Sequence, residues 1–108
     1  MIKCWKLTDE NCRTHGGRAW VVGEWAEAKP GRLEPCSDTA LHGYTHPLLA
    51  VLLNPLHGNF AKTRLWEAEF EGKVRCDGLK VWGRKQRILR ELPLPVFTKH
   101  QWVVFAIL

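Results

Sequence analysis

The chain has 108 residues, of which 45% are hydrophobic and 25% charged, a composition typical of one folded domain that excludes a disordered chain. Sixteen basic and eleven acidic residues give a net charge of +5, which favours phosphate or an acidic surface as a partner. The first residues lack the long apolar segment of a signal peptide, and no apolar run reaches the roughly 18–20 residues of a membrane span. We therefore expect a single cytosolic domain over residues 1–108.

Three strands are predicted in the first half of the chain. Alternating residues predict one over Ile2 to Leu7, and a short apolar run after a pair of glycines predicts another over Ala19 to Val22. Residues Ala40 to Tyr44 could form a third, shorter strand.

A helix is predicted directly after the third strand. Pro47 suits its first position, where a missing N–H costs nothing, and Thr45 or His46 would be the N-cap. The run Leu48 to Leu53 is apolar on all sides, so the helix should be short and deeply buried. Pro55 would stop it.

The second half begins with the clearest strand pattern, Leu65 to Lys73. Its apolar side chains alternate with Glu67, Glu69 and Glu71, so one face should pack on the core and the other should meet water. Asp77-Gly78 predicts a turn. Further strands are expected over Leu79 to Trp82 and Arg87 to Leu92.

The end of the chain resembles a helix start. Thr98 and Gln101 match a capping box, and the apolar segment from Trp102 to Leu108 follows, with a strand as the alternative. Together these elements predict an α+β domain: a small mixed, mostly antiparallel sheet with two short helices.

No motif of a known catalytic site is present. The scattered cysteines, without a Cys-x-x-Cys pair, are expected to be free thiols in a cytosolic chain. They are Cys4, Cys12, Cys36 and Cys76. Cys36, His42 and His46 lie close in sequence, but Gly43 and Pro47 argue against one helix presenting both histidines to zinc. We expect no metal, no cofactor and no catalytic residue, which favours a protein that is not an enzyme.

The strongest electrostatic asymmetry is a run of seven basic residues with one acidic residue, Asp77. The basic residues are Lys73, Arg75, Lys80, Arg84, Lys85, Arg87 and Arg90. Trp82 lies within this run and could stack on a base or contact an arginine. The predicted binding face consists of Lys80, Trp82, Arg84, Lys85, Arg87 and Arg90. The alternative is a solvated strand face whose cations balance the glutamates across the sheet.

A second candidate is a ligand pocket around His42 and Tyr44. These side chains flank a glycine where a strand leads into the start of the predicted helix, and helix N-termini attract anions. The alternative is a structural turn with a buried tyrosine.

The order of features along the chain resembles a family of small domains of unknown function common in bacteriophage and prophage genomes. The shared features are Trp5-Lys6-Leu7-Thr8, a glycine-rich tip, Cys36, Leu41-His42-Gly43-Tyr44, the Pro47 helix with Ala50, Trp66-Glu67-Ala68-Glu69 ending in Gly72, Asp77-Gly78-Leu79-Lys80 and Arg90-Glu91-Leu92-Pro93. The resemblance implies an accessory protein that acts by binding, such as an anti-CRISPR-like inhibitor of a bacterial defence system.

Residues Gly43-Tyr44 and Ala50 also resemble the strand and helix of the ADP-ribosyltransferase fold. That resemblance implies a nicotinamide dinucleotide near His42 and Tyr44. The catalytic glutamate of the fold has no clear counterpart here, because Glu91 lies in roughly the right late strand but is followed closely by Pro93 and Pro95. The sequence thus predicts an inhibitor that contacts a bacterial protein in the host cytosol, as a monomer or homodimer. A nucleic-acid or nucleotide-binding module and a transferase-like enzyme or degenerate relative are the alternatives.

Overall fold

The structure, a computed structural model, describes residues 1–14, 17–35, 37–53 and 62–95. In this part of the chain it contains five strands and one helix. They are β1 (Ile2–Asp9), β2 (Ala26–Glu27), β3 (Leu41–Tyr44), α1 (Pro47–Leu52), β4 (Thr63–Cys76) and β5 (Lys80–Leu92). None of the described helical residues forms a helix long and apolar enough to cross a membrane.

Four of the strands close into an antiparallel barrel. The hydrogen-bonded order is β5-β3-β1-β4, and β4 pairs again with β5 to complete the circle, while β2 adds to β5. The long strands β4 and β5 pair along most of their length, with two shifts of register. At Glu67/Ala68 the extra residue lies on β5, and between Glu71 and Val74 it lies on β4, where it forms a bulge. The expected α+β fold is therefore wrong: 51% of the described residues lie in strands or bridges, and α1 is the single helix of this part of the chain.

Alternate side chains of the strands fill the barrel. Cys4, Ala68, Phe70 and Ile88 are fully buried in one cluster. Gly43 allows β3 to approach this cluster, because a Cβ at this position would lie 2.7 Å from the sulfur of Cys4. A barrel this small has space for few side chains, so close backbone approach replaces side-chain packing here.

A polar contact holds β3 against β1 and β5 inside this core. The carbonyl oxygen of His42 accepts from Lys6 Nζ at 2.5 Å and from Gln86 Nε2 at 3.1 Å. The Lys6 ammonium also lies 4.6 Å from the ring centroid of the buried Trp20. Burial lowers the pKa of Lys6 from its ordinary 10.5 to about 8, since it penalises the charged form.

Helix α1 covers the outside of the barrel. His46 is its N-cap, accepting from the backbone N–H of Leu48 at 3.1 Å, and Pro47 is its first residue, as predicted. Ala50 packs in a second cluster with Leu7, Tyr44, Leu53 and Leu65. The prediction of a deeply buried helix is wrong, because Leu48 is 40% exposed.

Two strand predictions differ from the structure. Residues Ala19 to Val22 are not a strand: Ala19 forms an isolated bridge with Arg13, Trp20 is buried, and the two valines are exposed. The two strands predicted on either side of Gly83 are one continuous strand, β5. The predicted helix over residues 98–108 lies outside the described residues.

Candidate functional site

Three of the six predicted binding residues on β5 are neutralised by β4. They form the cross-strand ion pairs Arg87–Glu69 at 2.6 Å, Arg90–Glu67 at 2.7 Å and Lys85–Glu71 at 3.5 Å. The hydrogen bond from Arg90, helped by Lys3, lowers the pKa of the Glu67 carboxyl. The alternative expected from the sequence, a balanced strand face, is thus confirmed for these three cations. Each such pair contributes roughly 0.2–1 kcal/mol.

Three of the other four cations of the basic run, Lys73, Arg75 and Arg84, collect toward the other end of the β4–β5 hairpin. Here the loop at residues 32–34 and the bulged part of β4 enclose a groove of about 590 Å³. This is within the range of about 300–1,000 Å³ of small-ligand sites. The lining residues are Arg32, Leu33, Glu34, Glu71, Gly72, Lys73, Arg75 and Arg84.

Local backbone structure builds the walls of the groove. Gly72 adopts a φ of 84° at the bulge of β4, a left-handed conformation that glycine tolerates best. On the opposite wall, the hydroxyl of Thr39 donates to the carbonyl of Arg32 at 2.7 Å. Arg84 Nη1 donates to the carbonyl of Lys29 at 3.3 Å, which ties β5 to this loop. The groove is therefore held from both sides by hydrogen bonds within the chain.

Cations outnumber carboxylates in the groove by four to two. Glu71 already contacts Lys85, outside the lining, and Glu34 contacts Arg32 weakly at 3.8 Å. Among the described residues, no carboxylate forms an ion pair with Lys73, Arg75 or Arg84. A concave surface with excess positive charge concentrates anions from solution.

Trp82 lies beside the groove on β5. Its Cα partners are His42 in β3 and Arg75, a groove residue, in β4. The residue is partly exposed, yet its indole Nε1 is buried without a hydrogen-bond partner in the described part of the chain. Trp20 and Trp66 differ, since each donates its indole N–H to a threonine hydroxyl at 2.9 Å.

His42 and Tyr44 do not line this groove. Tyr44 is 9% exposed and packs in the apolar cluster under α1, while His42 lies next to Trp82. Lys80 begins β5 opposite Tyr44. The site predicted around the histidine and tyrosine is thus divided between the helix-covered core and the strand surface.

Glu91 is held by an arginine. Arg64 donates two hydrogen bonds to its carboxylate, at 2.7 and 3.1 Å, and these lower the pKa of the Glu91 carboxyl. The same guanidinium lies 4.7 Å from the ring centroid of Trp66. This geometry keeps the Glu91 carboxylate ionised and paired.

The cysteine and histidine predictions are only partly covered by the structure. Cys4, Cys12 and Cys76 are free thiols, while Cys36 lies outside the described residues. Over the described ranges, no cluster of three or more metal-ligating side chains occurs.

The groove residues that the predicted binding face omitted are Arg32, Lys73 and Arg75. Lys73 and Arg75 belong to the basic run, and the glycine that interrupts the alternation of β4 just before Lys73 is a signal of the bulge. Arg32 is brought in from a distant loop, which no local pattern indicates. No protein-family model, curated protein or solved structure matches the chain.

Proposed function

We propose that the protein acts by binding and that its ligand is a polyanion, specifically a nucleic acid whose phosphates lie along the groove. The observation that carries the proposal is the set of three groove cations, Lys73, Arg75 and Arg84, that form no ion pair with a described carboxylate. Like charges in one concavity repel each other, and phosphates entering the groove relieve that repulsion.

Arginine suits this role better than lysine. A guanidinium presents a planar set of donors that matches two phosphate oxygens at once. Two of these three cations are arginines, and hydrogen bonding to a backbone carbonyl already orients Arg84. The Arg84 side chain therefore loses less conformational entropy when it binds a phosphate.

The experiment is a fluorescence anisotropy titration of a labelled single-stranded 12-mer with the wild-type protein and two charge variants. The groove variant is Arg75→Gln with Arg84→Gln. The control is Arg13→Gln together with Arg18→Gln, which also removes two positive charges from exposed residues that do not line the groove. A charge-assisted contact contributes about 1.5–3 kcal/mol, so the groove variant should bind at least a hundredfold more weakly.

The control separates local contacts from net charge. It should bind within a few-fold of the wild type, because the exposed loop charges act only at long range and are screened by salt. Equal losses in both variants would show that net charge alone attracts the oligonucleotide, and the groove would lose its role.

A second candidate function is a phage-type inhibitor that contacts an acidic surface of a bacterial defence protein in the host cytosol. It is favoured by the placement of Trp82 near Arg84, since tryptophan and arginine are the residues most enriched in interface hot spots. Native mass spectrometry of protein purified from its host distinguishes the two. A stoichiometric acidic protein that is lost in Arg84→Glu supports the inhibitor, and bound oligonucleotide lost in the same variant supports the nucleic-acid ligand.

The transferase-like alternative stays a prediction. It requires a nicotinamide dinucleotide beside His42 and Tyr44, and Tyr44→Ala should abolish that binding in a calorimetric titration. A dinucleotide that binds wild type and Tyr44→Ala equally would contradict it.

A further inference from the structure

Trp82 is placed where a base would lie if phosphates occupy the groove. Arg75, its Cα partner on β4, lines the groove, and so does Arg84, two residues further along the same strand. Directly paired residues of neighbouring strands have Cβ atoms about 4.5–5.5 Å apart. A nucleotide that places its phosphate on these arginines therefore has its base within reach of the indole ring.

The unpaired indole N–H is a second observation at this position. Leaving a buried donor without a partner destabilises a folded protein, so a tryptophan is a poor choice here for stability alone. The well-packed Trp20 and Trp66 show the usual solution, an indole N–H that donates to threonine. Trp82 thus carries a cost to folding that Trp20 and Trp66 do not.

Cations of β5 lie over the ring of Trp25. The guanidinium carbon of Arg87 lies 4.4 Å and Lys85 Nζ 5.4 Å from its centroid. No described cation lies over the ring of Trp82 in this way. Of these two tryptophans, only Trp82 has a face that none of the described cations covers.

We infer that Trp82 stacks on an unpaired base and makes the groove selective for single-stranded nucleic acid. The inference rests on the proposed function, because the groove cations must first hold the phosphates. Bases within a duplex stack on each other and cannot cover an aromatic side chain, whereas a single strand can turn its bases outward. Stacking is tolerant of base identity, so the selectivity is for strandedness and not for sequence.

The test compares three labelled probes on the wild-type chain at one salt concentration: a single-stranded 12-mer, the same strand made abasic throughout, and the 12-base-pair duplex. The abasic strand keeps every phosphate and loses every base, so it isolates the stacking contribution without altering the protein. We expect the 12-mer to bind roughly five- to 150-fold more tightly than the abasic strand, the effect of one stacked base.

Two variants then assign the effect to one residue. Trp82→Leu should lower the affinity for the 12-mer to that for the abasic strand, while Trp82→Phe keeps an aromatic face and should keep most of the preference. The abasic strand should bind the wild type and both variants equally. Urea unfolding of each variant confirms that the barrel remains folded.

The outcomes separate the two proposals. If the wild type binds neither the 12-mer nor the abasic strand, the proposed function fails and this inference fails with it. If the wild type binds both strands and the duplex equally, the groove proposal stands and the stacking inference is overturned. A preference for the 12-mer that survives in Trp82→Leu also overturns it.

Discussion

The buried ammonium of Lys6 should make the stability of this protein depend on pH in an unusual direction. Its pKa is about 8 in the folded chain against an ordinary 10.5, so between these values the unfolded chain binds more protons than the folded one. The free energy of unfolding therefore rises with pH across this window. At 1.36 kcal/mol per pKa unit the full effect is about 3 kcal/mol, of which about 2 kcal/mol falls between pH 7 and 9.5.

Two thiols act in the opposite direction. Burial raises the pKa of Cys4 and of Cys12, so their ionisation in the unfolded chain lowers stability as the pH passes about 9. The contribution of Lys6 is isolated by comparing the wild type with Lys6→Met, which keeps an unbranched side chain of similar length and has no proton to lose.

The assay is urea unfolding followed by tryptophan fluorescence at several pH values from 7 to 9.5. The difference in unfolding free energy, wild type minus Lys6→Met, should rise by about 2 kcal/mol over this range. A difference that stays constant with pH would refute the reasoning, because it would mean that Lys6 keeps an ordinary pKa and that its ammonium is solvated in the folded protein.

Two further predictions concern the barrel interior. Gly43→Ala places a Cβ 2.7 Å from the sulfur of Cys4 and 3.2 Å from Gln86 Nε2. The free energy of unfolding in urea should therefore fall by about 1–3 kcal/mol, and a fall of less than about 0.5 kcal/mol would contradict the close packing. Thr8→Val removes the acceptor of the Trp66 indole N–H and keeps the shape of the side chain. The free energy of unfolding should fall by about 1–3 kcal/mol. An unchanged urea midpoint would show that the hydrogen bond contributes nothing to stability.

Local patterns predicted several elements of the fold. The alternation in β1 and β4, the Asp77-Gly78 turn and the start of α1 at Pro47 were all predicted from short stretches of sequence and are confirmed. Barrel closure depends on pairing between strands far apart in the chain, so no local pattern reports it. The sequence predicted two strands, one ending at Trp82 and one beginning at Arg87, whereas the structure has one continuous strand, β5. Gly83 lies within this strand and allows Phe70 to approach closely, because a Cβ there would come within 2.9 Å of Phe70.

The predicted segment from Ala19 to Val22 failed for a different reason. Its apolar character suggested a strand, but only Trp20 is buried, where it stacks with Lys6 and donates to Thr14. A tertiary contact decided the conformation of this segment over its intrinsic strand preference.

The candidate site was predicted in part. The basic run lies in the hairpin that carries most of the groove cations, but sequence cannot tell which cations face a carboxylate on the neighbouring strand. Pairing removed Lys85, Arg87 and Arg90 from the set of available charges, and the fold added Arg32 from a separate loop. The composition of the chain sets its net charge, whereas the register of the paired strands decides which cations face a carboxylate.

The central claim, that the groove holds phosphates, is tested most directly by the salt dependence of binding to the single-stranded 12-mer. If Lys73, Arg75 and Arg84 each neutralise one phosphate, a plot of log affinity against log salt should have a slope of about −2, at about −0.7 per neutralised phosphate. The slope should change to about −0.7 in the Arg75→Gln and Arg84→Gln double variant, because only Lys73 remains of the three cations. A slope near zero in the wild type, or the same slope in both proteins, would contradict the account.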